Sequence, residues 1–207
     1  MIIILRRFLL FIKKPQNSLQ ILVGFAFLGC SVWLNFQAGT YAYHSMSNGV
    51  ADVILDNIPV YNVSLLFVQG AVLMVCGVVL LCVIYPHKMF DMSASIALLY
   101  LIRSAAISLT HLGPPLAIGS FDLADTITGR FMQGADYFFS GHTALPFLVA
   151  LLFWEKPLLR NCFFICTIIF GAAALMGHVH YSIDVFAAPF IAYGVFAIRK
   201  YLWKPSV

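Results

Sequence analysis

Charge is scarce in this chain. Asp, Glu, Lys and Arg make up 10% of the 207 residues and hydrophobic residues 62%, against about 25% and roughly 45–50% in soluble domains. Such a balance cannot clothe a water-soluble surface and leaves no room for a separate soluble domain. Metal-binding and disulfide signatures are missing too. The five cysteines, Cys30, Cys76, Cys82, Cys162 and Cys166, lie in apolar stretches, form no CxxC pair and are odd in number. Neither a disulfide framework nor a zinc site is thereby indicated, and the cysteines read as packing residues. With no internal repeat and no low-complexity segment, neither a solenoid nor an inverted-repeat transporter is indicated.

Apolar runs are plentiful. They fall near residues 17–36, 62–85, 92–109, 141–156, 161–177 and 182–200, several approaching the ~20 residues that cross a bilayer as helix. The expected fold is an all-α polytopic membrane protein with six transmembrane helices. Residues 1–15 form an amphipathic cytoplasmic interfacial segment, and residues 16–207 a six-span membrane domain. Met1 to Lys14 places Arg6, Arg7, Lys13 and Lys14 among Ile, Leu and Phe with no small-residue cleavage site, so the segment reads as interfacial helix and not as a signal peptide.

The pI of about 8.8 does not indicate nucleic acid. Arg6, Arg7, Lys13, Lys14, Lys88, Lys156, Arg160, Arg199, Lys200 and Lys204 all fall on one side once the N-terminus is placed inside, with only Arg103 and Arg130 left over. The positive-inside rule makes that side cytoplasmic, with both termini there. The polar loops carrying Asp52, Asp56, Asp122, Asp125 and Asp136 then face outward.

At that outer level Ser140-Gly141-His142-Thr143 opens the fourth span, where free backbone N–H groups favour an anion. At the same level His178-Val179-His180-Tyr181-Ser182-Ile183-Asp184 opens the sixth span. In a helix His180 and Asp184, at i and i+4, share one face. A carboxylate beside an imidazole fixes its tautomer and stabilises the charge that develops when the other ring nitrogen attacks an electrophile. A second histidine, His142, can protonate a departing oxygen. These are the parts needed to displace an alcohol from phosphorus through a phosphohistidine, and they require no metal and no cofactor. Arg103, inside the third span, is expected to face an interior cavity, because a charge at mid-membrane depth costs roughly 2.5–3.5 kcal/mol. The bland alternative for any one of these residues is a solvated or hydrogen-bonded interfacial side chain.

The stretch Gly134-Ala135-Asp136-Tyr137-Phe138-Phe139-Ser140-Gly141-His142-Thr143, together with His178-Val179-His180-Tyr181-Ser182-Ile183-Asp184-Val185, resembles two motifs of the sphingomyelin synthase branch of the phosphatidic acid phosphatase type 2 (lipid phosphatase/phosphotransferase) superfamily. Arg103-Ser104 followed by Leu109-Thr110 and Pro114 is similar to a third motif, and Asp56-Asn57-Ile58-Pro59 to a fourth. The resemblance implies six spans, an extracytoplasmic site, His180 as nucleophile, Asp184 as its partner and His142 as the acid. Substrate contacts are expected at Arg103, Asp136, Ser140, Gly141, His178 and Tyr181. The partners implied are a phospholipid donor and a lipid alcohol acceptor (ceramide or diacylglycerol) or water, within the bilayer and without nucleic acid; a homo-oligomer is compatible with this.

The chain departs from the eukaryotic synthases in lacking a long N-terminal cytoplasmic region, which suggests a minimal, bacterial-type relative, and in carrying Ala135 between Gly134 and Asp136. From ordinary lipid phosphatases it departs by Phe139 before Ser-Gly-His and by the lack of an Arg between Arg160 and His180. A phosphate monoester carries close to two charges at neutral pH, whereas a phospholipid diester carries one; Arg103 and Arg130 suit the diester better. Tyr137-Phe138-Phe139 could hold an ammonium head group through cation–π attraction or serve as an interfacial anchor. The expectation is a head-group phosphotransferase or phospholipase C-like hydrolase. The alternatives are a lipid phosphate or polyprenyl phosphate phosphatase and, weakened by the intact His142, His180 and Asp184 set, a non-catalytic lipid-binding protein.

Overall fold

The computed structural model describes residues 2–115 and 137–202. Asp136, Arg130, Asp122 and Asp125 lie outside the described residues. Among those described there are seven α-helices and no strand: α1 Ile2–Ile12, α2 Pro15–His44, α3 Ser64–Ile84, α4 Met89–Leu109, α5 Gly141–Leu152, α6 Pro157–Met176 and α7 Ser182–Leu202. Pro15 and Pro157 open α2 and α6, the position where a missing N–H costs nothing.

Five of the helices, α2, α3, α4 (with the turn from Pro86), α6 and α7, are long and apolar enough to cross a membrane. Six spans were expected, and the difference is α5. It stops at Leu152, where the sequence reading ran to 156, and its 12 residues reach about 18 Å at 1.5 Å per residue. Phe153 and Trp154 are apolar, so composition cannot see this end. It is made by Lys88, whose Nζ donates to the Leu152 carbonyl at 2.7 Å and pairs with Glu155, a cation placed where helix carbonyls run out.

α5 is nearly all buried, as is one face of α4. Met92, Ile96 and Leu99 of α4 meet Ala144, Leu148, Val149 and Leu152 of α5, Phe170 of α6 and Ala188, Ala192 and Val195 of α7. The two alanines let α5 and α7 approach closely. α2 lies along α4, and at Gly24 a side chain would collide with Ser93. Leu65, Leu73, Val79 and Leu80 of α3 and Ile168, Phe186 and Phe190 of α6 and α7 point outward, an apolar coat that suits lipid and not water. Because successive helices alternate in direction, Lys88, Lys156, Arg160 and Arg199 gather at one end, where Arg199 pairs with Asp91. The segments opening α5 and α7 lie at the other end.

Candidate functional site

Ser140 is the N-cap of α5. Its Oγ accepts from Thr143 N at 3.3 Å and lies 3.1 Å from Thr143 Oγ1, the arrangement that Ser favours at a helix start. Phe139, directly before it, has φ 39°, and His178 has φ 51°. Left-handed backbone at a bulky residue costs of order 1–3 kcal/mol and persists only where the surroundings impose it. The two instances stand one in each histidine segment.

His180 was expected within a helix, one turn before Asp184. Instead α7 begins at Ser182, and His180 sits in the turn ahead of it. The pair still forms: Nδ1 of His180 lies 3.3 Å from Oδ2 of Asp184, with side-chain exposures of 4% and 0%. The reason is a capping interaction. Asp184, in the first turn, reaches back to accept from Tyr181 N at 3.1 Å, as an acidic residue does in a capping box. The same oxygen therefore holds both the helix start and the imidazole. With Nδ1 protonated, Nε2 is left as the basic nitrogen.

The two segments are joined directly, because Ser140 N donates to the Asp184 carbonyl at 3.1 Å. Arg103, 6% exposed, crosses from α4 to the same place. Its Nε donates to the Phe139 carbonyl at 3.4 Å and Nη1 to Asn35 Oδ1 at 3.5 Å. A Cβ on Gly141 would stand 3.4 Å from Arg103 Nε, an ordinary van der Waals distance, so the guanidinium rests beside the first turn of α5. A fixed positive charge thus adjoins a helix N-terminus, and both favour an anion.

His142 points toward α3 and α6, its ring 3.9 Å from that of Phe67 and 5.8 Å from that of Phe170. His178 is 1% exposed, and among the described residues neither ring nitrogen has a hydrogen-bond partner; the same holds for Oδ1 of Asp184. Tyr137 meets the rings of His180 at 6.5 Å and Tyr181 at 5.9 Å, each edge to face.

Tyr181, expected to contact substrate, has its hydroxyl committed elsewhere. It donates to the Gly113 carbonyl at 2.9 Å and accepts from Val50 N at 3.1 Å, joining both loops at this end of the bundle. Burial chiefly pushes its phenol pKa up, Asp184 and Asp52 add to the rise, and the Val50 N–H opposes it. Ser47 N donates to the His111 carbonyl at 2.8 Å and Gly113 N to that of Asn48 at 3.2 Å. Asp52, which sequence reading noted only as an acidic loop residue, accepts from Ser182 N at 2.7 Å. Burial works to raise its carboxyl, and the hydrogen bonds from Ser182, Leu55 and Ile54 outweigh that, leaving it below the usual carboxylate range.

Residues 133–201, a third of the chain, match the family model described as PAP2 superfamily C-terminal. The match covers α5, α6, nearly all of α7 and both histidine segments, and it supports the superfamily expected from the motifs. No curated protein and no solved structure matches the chain.

Proposed function

We propose that the protein is an integral membrane enzyme that transfers or hydrolyses the head group of a phosphodiester lipid, as sphingomyelin or ceramide phosphoethanolamine synthases do, with its site on the extracytoplasmic side and both termini cytoplasmic. The observation that carries this reading is the meeting of Arg103 with the first turn of α5, which the Ser140–Asp184 hydrogen bond fastens to the His180–Asp184 pair. Phosphate oxygens take the charge of Arg103 and the N–H groups of α5, with Ser140 and Gly141 shaping the cradle. The match of residues 133–201 to the PAP2 superfamily supports lipid phosphatase or phosphotransferase chemistry in general. The grouping of Lys88, Lys156, Arg160 and Arg199 at the opposite end supports the orientation.

In the first step Nε2 of His180 attacks phosphorus and the bond to the diacylglycerol oxygen breaks. His142 gives that oxygen its proton, and Asp184, accepting from Nδ1, stabilises the charge left on the phosphorylated imidazole. In the second step the hydroxyl of ceramide, diacylglycerol or water attacks phosphorus, loses its proton to His142 and releases His180. His178 supplies a further donor to the phosphate, Asp136 a contact to a cationic head group, and Tyr181 holds the loops over the site.

The test is turnover of labelled phosphatidylcholine and phosphatidylethanolamine, with and without ceramide and diacylglycerol, beside a nitrophenyl phosphodiester whose leaving group needs no proton. His142→Ala should lose the natural reaction and recover in part on the activated diester; His180→Ala should recover on neither. Asp184→Asn should fall between them. A phosphoenzyme trapped on His142, or equal rescue of both histidine variants, overturns the assignment. Release of inorganic phosphate from phosphatidic acid alone identifies a lipid phosphatase instead.

A further inference from the structure

Asp52 lies outside both histidine segments and outside residues 133–201, yet it is buried, with 8% exposure. Its Oδ1 accepts from Ile54 N at 2.9 Å and Leu55 N at 3.1 Å, which shapes the 3₁₀ turn over Leu55–Asn57. Asp56 Oδ2 in turn accepts from Asp52 N at 3.0 Å. This local framework aims Oδ2 of Asp52 at Ser182 N, 2.7 Å away and 130 positions along the chain.

Ser182 is the first residue of α7, and its N–H is one of the donors that a helix cannot satisfy internally. The preceding donor, Tyr181 N, belongs to Asp184. Two successive donors are thus held by two carboxylates, one of which is the partner of His180. If Ser182 N were left without Asp52, it would be a competing donor, adjacent in sequence to Tyr181 N, for Asp184, whose Oδ1 has no hydrogen-bond partner among the described residues. Rotation of Asp184 toward it would weaken the bond to His180 Nδ1.

We infer that Asp52 is a positioning residue for the His180–Asp184 pair: by occupying Ser182 N from the first loop it keeps the Asp184 carboxylate on the imidazole. The inference rests on the reading of His180 as the nucleophile. Asp52→Asn is the sharp perturbation, because an amide has one acceptor oxygen and cannot serve both the 3₁₀ turn and Ser182. Asn57→Ala is the control. It loosens the same turn from within by removing the bond from Asn57 Nδ2 to the Val53 carbonyl at 2.9 Å.

Both full-length variants and the wild type are to be compared in kcat and KM, and in the ¹⁵N resonances of the His180 ring, assigned by their loss in His180→Gln. Asp52→Asn should lower kcat roughly 10- to 100-fold, the scale for a misplaced reacting group, with KM nearly unchanged and the ring resonances shifted. Asn57→Ala should do neither. Asp52→Glu, which keeps the charge but overreaches the bond, should give an intermediate kcat and serves if the Asn variant does not fold. Unmoved His180 resonances in Asp52→Asn, or equal losses in Asp52→Asn and Asn57→Ala, overturn the inference even where the wild type performs the proposed chemistry. Shifted resonances in a protein that turns over no phosphodiester lipid uphold the positioning role and refute the functional reading.

Discussion

Tyr181→Phe is a small change with a large expected effect on the loops over the site. The ring stays and keeps its contact with Tyr137, 5.9 Å between centroids, so packing is nearly unaltered; only the hydroxyl goes. Gly113 is buried, and its carbonyl loses the donor that holds it at 2.9 Å. A buried acceptor left unsatisfied costs about 1–3 kcal/mol. Val50 is 48% exposed, so water can replace the phenol at its N–H, and only the net worth of a hydrogen bond, about 0.5–1.5 kcal/mol, is lost there. The sum, about 1.5–4.5 kcal/mol, is a local opening free energy, since these bonds tie loop to loop and not helix to helix. At 1.4 kcal/mol per tenfold it corresponds to roughly 10- to 1,600-fold faster amide exchange in the segments 47–56 and 110–115, with α5 unchanged. Hydrogen–deuterium exchange by mass spectrometry under conditions where reclosing outruns exchange reads this directly. Acceleration under about threefold would refute the assignment of Tyr181 as the tie between the loops.

Three further outcomes follow from the same geometry. Arg103→Lys should insert and fold but lose most turnover, because a point charge cannot grip two phosphate oxygens, and Arg103→Ala should lose about 10²-fold or more; unchanged turnover in the Ala variant removes Arg103 from the site. At Gly113 a Cβ would strike Ser47 O and the Asn48–Gly49 peptide, backbone that cannot turn aside, so Gly113→Ala should cost about 1–3 kcal/mol, read as a lower thermal midpoint in detergent. The Tyr181 phenol is raised by burial; its contribution to stability is therefore full below the ordinary tyrosine pKa of about 10 and is lost as pH climbs through the higher folded value. Exchange in segments 47–56 and 110–115 should accelerate above that pH in the wild type, and the Phe variant should lack this step.

The long elements were readable because length and hydropathy are local properties. Expected runs at 62–85, 92–109, 161–177 and 182–200 lie within a few residues of α3, α4, α6 and α7, and α2 outran its expected end at 36 because Gln37 to His44 are still helical. Arg103 as a buried charge was also legible, from its depth in an apolar run, whereas the capping role of Ser140 was not drawn from its residue type. The N-terminal segment is helical from Ile2 to Ile12, as its amphipathic pattern suggested. What could not be read is long-range. No spacing rule connects Asp52 to Ser182 or Tyr181 to Gly113, since these bonds reach across 130 and 68 positions. The place of His180 ahead of α7 was missed for a related reason: an i, i+4 pair looks the same in sequence whether the helix includes its first member or starts just after it.

The shortness of α5 bears on how a lipid would reach the site. Its last carbonyl is held by Lys88 at the basic end, and its first turn, beside Arg103, lies only about 18 Å away along the axis, whereas the hydrocarbon layer is about 30 Å thick. In the proposed orientation, with the basic end at one membrane surface, the Arg103 cradle would lie about 12 Å below the opposite one. A phosphodiester normally rides at the headgroup level. To meet His180 in the proposed reaction it would have to sink toward the depth of its own acyl chains, shedding water as it descends, and would arrive where a guanidinium and a helix dipole attract it more strongly than they would at the surface.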